Sequence, residues 1–142
     1  MIRLHASTVA IDGRAVLIEG PSGAGKSDLA LRLIDRGAVL VSDDYTELLR
    51  DGDRLIARAP ATIMGKIEVR GIGIVDLLAA GDTPVGLFVR LATDGAATDI
   101  PRLPEPRTRT IEEMEVPEIM LEPFAASTPI KIELALRHGL PA

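Results

Sequence analysis

Gly20-Pro21-Ser22-Gly23-Ala24-Gly25-Lys26-Ser27 fits the phosphate-binding loop pattern GxxxxGK[ST], and its flanks supply the context such a loop requires. Before it, Ala15 to Glu19 (AVLIE) is a short apolar run that reads as a buried strand. After it, Leu29, Ala30, Leu33 and Ile34 recur at helical spacing from Ser27 onward, and Gly37 stands where a C-terminal cap belongs. The residue types explain the anion site. Gly20, Gly23 and Gly25 let the backbone curl so that successive N–H groups face phosphate oxygens. Lys26 then reaches the β- and γ-phosphates, and the Ser27 hydroxyl is placed to ligate Mg²⁺. The positive dipole end of the helix acts on the same anion. Gly20, Pro21, Ser22, Gly23, Ala24, Gly25, Lys26 and Ser27 are therefore the expected nucleotide-binding residues, with ATP and Mg²⁺ as ligands.

Outward from the loop, residues 2 to 11 read as a strand and Asp12-Gly13 as a hairpin turn, so a hairpin precedes the loop. Beyond the helix, Ala38 to Val41 is short and β-rich and ends at Ser42-Asp43-Asp44. Strand, loop, helix and second strand form the core of an α/β nucleotide-binding unit. Thr46 to Arg50 and Arg54 to Ala59 flank a second turn signal, Asp51-Gly52, and open a mainly antiparallel middle section. Ile67 to Val75 is apolar but broken by Arg70-Gly71 and Gly73, which suggests a bent strand or a loop whose backbone approaches something closely. Val85 to Leu91 reads as a strand, Thr93 to Pro106 as a long exposed loop. Ser127-Thr128-Pro129 starts a last helix that continues through Ile132, Leu134, Ala135 and Leu136 to Gly139.

Composition narrows the function classes. With 142 residues and 46% hydrophobic content, the expectation is a single domain, 1–142, with one core. Phe88, Phe124 and Tyr45 are the only aromatic residues, so the core is aliphatic and a base-stacking platform for single-stranded nucleic acid is not expected. The formal charge of −5 points away from nucleic acid and anionic membranes as partners. The absence of cysteine excludes disulfides and thiolate metal sites and suits a cytoplasmic protein. No apolar run approaches the ~20 residues of a spanning helix, and the N-terminus lacks the layout of a secretory signal.

The acids after the second strand sharpen the reading. Asp43 and Asp44 end the strand that follows the helix, at the sheet edge that faces bound phosphates in parallel folds. One carboxylate there could hold Mg²⁺ while its neighbour accepts a proton from an attacking hydroxyl, although paired aspartates also simply start turns. Three segments, GPSGAGKSD, LVSDD and IEVRGIGIVDL (Ile67 to Leu77), together resemble the C-terminal catalytic domain of bacterial HPr kinase/phosphorylase, in order and at similar spacing. Weaker similarity runs through Pro101-Arg102-Leu103 and MEVPEIMLEP into the last helix. The full-length family has a further N-terminal domain, so this chain looks like the truncated form found in some proteobacteria.

The resemblance implies a P-loop nucleotide-binding fold of the HPr kinase/PEP carboxykinase type, α/β with a mixed sheet and few helices. It implies a serine kinase acting on the phosphocarrier HPr of a phosphotransferase system. By position, Lys26 and the loop backbone would hold ATP, Ser27 and Glu68 would bind Mg²⁺ with Asp43 beside the metal, and Asp44 would take the proton from the substrate serine. Arg102 corresponds to the arginine that supports the transferring phosphoryl group, and His5 falls where the family has a histidine near the catalytic aspartate. The family assembles into hexamers, so a homo-oligomer is a further expectation.

One departure bears on activity. The family carries a basic loop resembling PV(K/R)xGRN before its last helix, tied to dephosphorylation; here Leu121 to Ser127 has no Arg or Lys and adds Glu122. Phosphate-dependent dephosphorylation must bind a second anion, which such a loop repels, so the expectation is a kinase with reduced or absent phosphorylase activity. The alternatives are a small-molecule P-loop kinase, which would usually show an arginine-rich lid and regular β-α units, and a non-catalytic ATP-binding regulatory module. Among other charged residues, Glu112, Glu113, Glu115 and Glu118 read as a solvated strand edge or a partner surface. Arg107 and Arg109 serve either the phosphate site or those acids, Arg70 either protein docking or a nearby carboxylate, and His138 a helix dipole.

Overall fold

The turn Asp12-Gly13, with φ of 52° and 76°, joins two strands whose residues are buried almost throughout, and the rest of the molecule is layered on this hairpin. Two left-handed residues in a two-residue loop give the turn whose twist matches paired strands. In the computed structural model, which describes residues 1–93 and 100–138, the elements follow in this order. They are β1 (Ile2–Leu4), β2 (Ala6–Ile11), β3 (Arg14–Glu19), α1 (Lys26–Asp35), β4 (Val39–Ser42), β5 (Thr46–Asp51) and β6 (Arg54–Arg58). After these come β7 (Lys66–Val69), β8 (Gly73–Asp76), β9 (Thr83–Leu91), β10 (Arg107–Ile111), β11 (Met114–Leu121) and α2 (Thr128–His138).

The large sheet runs β1-β5-β6-β9-β3-β2-β4, with β11 and then β10 added beside β9. It is mixed: β9 is parallel to both β3 and β11, whereas β2 is antiparallel to both its neighbours, β3 and β4. The strand before the phosphate loop and the strand that ends in the two aspartates therefore point the same way but are not adjacent, because β2 lies between them. This α/β architecture, a mixed sheet with two helices, agrees with the fold class expected from the sequence.

Both faces of β3 are covered, which is why its apolar run is continuous rather than alternating. Val16 and Ile18 join Leu29, Ala30 and Leu33 of α1 and Ile132 and Leu136 of α2 in one core. Ala15 and Leu17 face the other way, toward Leu48, Leu55, Phe88, Ile111 and Val116. Helix α1 stops as expected: Gly37, at φ 110°, donates to the Ile34 carbonyl, and Ala38 donates to that of Leu33. This pair of bonds closes the helix around a left-handed glycine.

Three expectations are revised. The strand read over 2 to 11 is two strands with a bend at His5. Leu4 pairs with Thr46 of β5 while Ala6 pairs with Glu19 of β3, so the bend passes the chain from one wing of the sheet to the other. The segment from Ile67 to Val75 belongs to a separate two-stranded sheet, β7-β8. Gly71 and Gly73 there have φ of 88° and 117° with nothing within 4 Å of an added Cβ, so they serve the turn and not a close approach. Finally, β10 and β11 form a hairpin where the sequence offered no turn signal: its central residues, Glu112 and Glu113, take φ of 51° and 65° without a glycine. Of the loop read over Thr93 to Pro106, the described part at 100–106 is irregular, and Gly139 lies outside the described residues.

Glu47 ties β1, β5 and β6 together, accepting from Arg3 at 3.1 Å and from Arg58 at 3.2 Å. The hydrogen bond from Arg3, joined by that from Arg58, holds its carboxyl below the usual range against the opposing effect of desolvation. Arg137 does the same for Asp12 between α2 and the first hairpin. A carboxyl depressed in the folded state stabilises it above the unfolded pKa and ceases to do so as pH falls through the folded one. The melting temperature should therefore decline as pH drops through and below the carboxylate range, and Glu47→Gln should show a shallower decline. Parallel melting curves for the two proteins would refute this link.

Candidate active site

A cleft of about 510 Å³ opens over the N-terminus of α1, between the phosphate loop, the β7-β8 hairpin and the segment before α2. Ser22, Gly23, Gly25, Lys26 and Ser27 line it from the loop, Asp44 from the end of β4, Glu68 and Arg70 from the hairpin, and Phe124 from the other side. Of the remaining loop residues, Ala24 is buried in the core, and Gly20 and Pro21 turn their carbonyls to Lys26. The Lys26 ammonium donates to those carbonyls at 2.8 and 3.1 Å. Burial lowers its pKa, and the charges of Asp44 and Asp43 act in the opposite direction. Gly25 has φ 102° and occupies the position just before the helix, where its carbonyl accepts from Leu29.

Asp43 and Asp44 follow each other in sequence but do different things. Asp43 is buried, and each of its oxygens is engaged: Oδ1 accepts from Ser7 at 2.8 Å and from Ser27 at 2.6 Å, and Oδ2 accepts from the Glu68 backbone N–H at 3.0 Å. It thus joins the first strand pair, the phosphate loop and the β7-β8 hairpin at one carboxylate. Asp44 is exposed and lines the cleft. Its backbone has φ 71°, and Tyr45 N–H bonds the Asp43 carbonyl around it at 2.8 Å. An i to i+2 bond about a residue of positive φ is a γ-turn of the strained kind. The turn aims the side chain at His5, whose Nε2 lies 2.8 Å from Asp44 Oδ1. The His5 ring stacks on Tyr45 at 5.1 Å between centroids, which fixes its plane. With the carboxylate ionised, the ring N–H is the donor in this pair.

Hard oxygen donors suit Mg²⁺. Ser27 gives its proton to Asp43 and keeps its lone pairs, and Glu68 shares the cleft wall with it. Among the described residues no three His, Cys, Asp or Glu side chains are grouped to hold a metal by themselves. Mg²⁺ is usually held by one or two protein oxygens completed by phosphate oxygens and water.

The comparisons decide the family. The family model described as the HPr Serine kinase C-terminal domain matches residues 1–132. The chain belongs to that family. The HPr kinase/phosphorylase of Lactiplantibacillus plantarum is 39% identical over 127 residues, covering 83% of this chain and 40% of the relative. That of Variovorax paradoxus is 34% identical over 148 aligned positions, covering 96% of this chain and 46% of the relative. The chain thus spans less than half the length of these curated relatives. The solved structure of the Hpr(Ser) kinase/phosphatase from Coxiella burnetii matches with a TM-score of 0.84 at 33% identity, over 97% of this chain and 95% of that one.

Within this domain the residues singled out in the sequence fall in different places. Lys26, Ser27, Asp44 and Glu68 line the cleft, and Asp43 and His5 are hydrogen-bonded to residues that do. Arg102 is exposed on the irregular stretch between Pro101 and Pro106 and does not line the cleft. Arg109 pairs with Glu19, the last strand residue before the loop, and lies 4.7 Å over the Phe88 ring, so it balances acids beneath the loop. The Glu112–Glu118 cluster is dispersed accordingly: Glu118 faces Arg90 at 3.6 Å and Glu113 faces Arg50 at 3.5 Å. Arg70 lines the cleft, and His138 ends α2.

Ser7 is the participant that sequence reasoning missed. Fully buried on β2, it donates to Asp43 and accepts from the Asp44 backbone N–H at 3.2 Å, so one hydroxyl sets the spacing of both aspartates. A serine inside an apolar strand was the available signal, since a buried hydroxyl needs partners.

Proposed function

We propose that this domain is an ATP-dependent kinase that phosphorylates a serine of an HPr-like phosphocarrier protein in the cytoplasm, with weakened phosphate-dependent dephosphorylation. The observation that carries the reading is the His5–Asp44 pair at 2.8 Å on the rim of a phosphate-loop cleft. A nucleotide-binding module needs the loop; it has no use for an exposed carboxylate in a strained turn aimed at a histidine.

In this reading the loop amides and Lys26 bind the triphosphate, and Lys26 exchanges the Gly20 and Pro21 carbonyls for phosphate oxygens. Ser27 and Glu68 would hold Mg²⁺, with Asp43 positioning the Ser27 hydroxyl through its hydrogen bond. The ion, when bound, neutralises charge on the phosphate chain. Asp44 orients the incoming seryl hydroxyl and receives its proton as the serine oxygen bonds the γ-phosphorus and the bond to the leaving ADP oxygen breaks. His5 keeps the carboxylate in position. Arg102 would support the phosphoryl group only with the substrate protein seated. The reaction is mostly positioning and charge neutralisation, which this residue set supplies.

The segment between β11 and α2 supports the reduced reverse reaction. Its one ionisable residue is Glu122, and it places Phe124 rather than a cation beside Gly25. Transfer of labelled γ-phosphate from ATP to purified HPr, but not to HPr lacking its regulatory serine, tests the kinase reading. Release of phosphate from phosphoseryl-HPr on adding inorganic phosphate should be slow; robust release would overturn the second half of the proposal, and ATP binding without transfer the first.

A further inference from the structure

Phe124 is one of two phenylalanines in the chain, and unlike Phe88 it is not in the core: 63% of its surface is exposed. It sits against the phosphate loop so closely that a Cβ on Gly25 would lie 2.8 Å from its Cζ. The backbone on either side of it is also held. Arg32 of α1 donates to the Pro123 carbonyl, Thr128 Oγ1 donates to the Glu122 carbonyl at 2.5 Å, and Thr128 N–H donates to the Ala125 carbonyl at 3.1 Å. An exposed aromatic ring on a pinned backbone is preorganised to receive a planar partner.

Lys26, Ser27 and Asp44 line the cleft with charged and polar groups and Leu31, Val69 and Phe124 with apolar surface, and Phe124 lies against the loop at Gly25. A triphosphate laid on the loop with its γ-phosphate toward Asp44 extends its nucleoside away from Asp44. We propose that Phe124 is the stacking platform for the nucleotide base, a role that rests on the nucleotide reading of the cleft. Stacking recognises any aromatic base by its face, so Phe124 contributes affinity for the base without choosing its identity.

The chain contains no tryptophan, so Phe124→Trp introduces a single reporter at the platform. With Mg²⁺ present, ATP should quench that fluorescence and inorganic tripolyphosphate should not. In calorimetric titrations Phe124→Ala should bind ATP about tenfold more weakly, with Phe124→Tyr near wild type, the loss expected when one base–aromatic stack is removed. Tripolyphosphate affinity should be unchanged in all three variants. The proposal is overturned if ATP binds Phe124→Ala as tightly as wild type, if ATP and tripolyphosphate weaken together, or if the fluorescence of the Phe124→Trp variant ignores ATP. If wild type itself binds neither ligand, the nucleotide reading fails first and takes this one with it.

Discussion

Asp44→Asn is expected to slow phosphoryl transfer to the protein substrate by about a hundred- to ten-thousand-fold, the range for loss of a general base, while ATP affinity stays within about a factor of two. Asparagine is the informative replacement for two reasons. It tolerates the left-handed backbone that Asp44 occupies at φ 71°, where alanine would add strain. Its amide oxygen also still accepts from His5, so the ring keeps its place and only the proton-accepting charge is removed. The glycine-rich loop at 20–27 is untouched. Single-turnover transfer measured beside calorimetric ATP binding separates the two effects, and an asparagine variant that transfers within tenfold of wild type would remove Asp44 from the mechanism.

Asp43→Ala should have the largest effect on the fold. It strips the acceptor from two hydroxyls, Ser7 and Ser27, and from the Glu68 backbone N–H, all gathered around a buried carboxylate. Leaving such groups unsatisfied costs about 1–3 kcal/mol each and less than additively together, so a total of about 3 kcal/mol is expected. For a domain of this length that lowers the melting temperature by roughly 10 °C. Nucleotide affinity in Mg²⁺ should fall as well, because Ser27 loses the partner that orients its hydroxyl. Asp43→Asn should be intermediate: its oxygen can replace Oδ1, but its amide nitrogen would face the Glu68 donor. A melting temperature within about 2 °C of wild type for the alanine variant would show that Asp43 is not the hub described here.

Much of this architecture is legible in the residues because local chemistry and tertiary context agree. The loop, α1 and its glycine cap, and the Asp12-Gly13 hairpin each carry a positive φ where the sequence offers glycine or aspartate. The β10-β11 hairpin does not: two glutamates take the left-handed positions, and Pro117 in β11 reads against a strand. Pro117 is tolerated because pairing of β11 with β9 begins only at Glu118, so no ladder donor is demanded from it on that side. At the site, the contact between His5 and Asp44 spans 39 positions and was expected only through family resemblance, not spacing. The partners of Ser7 and the stance of Phe124 are unreadable for the same reason, since both are defined by what the fold brings to them; a hydroxyl on an apolar strand signals only that it needs partners.

The β7-β8 hairpin shares no backbone ladder with the large sheet among the described residues. It is anchored by Ile67 in the core, by Val69, Val75 and Leu77 packed against that core, and by the Glu68 N–H bond to Asp43. Two strands alone are marginal in water, so this arm is expected to open locally before the large sheet does. Amide deuteration should therefore proceed on two clocks: slow at Val16 to Ile18 and Leu87 to Val89, where β3 and β9 are flanked on both edges, and fast along the arm. Faster exchange along the arm than in β3 and β9 would mean that the jaw of the cleft bearing Glu68 and Arg70 can open without the sheet being disturbed.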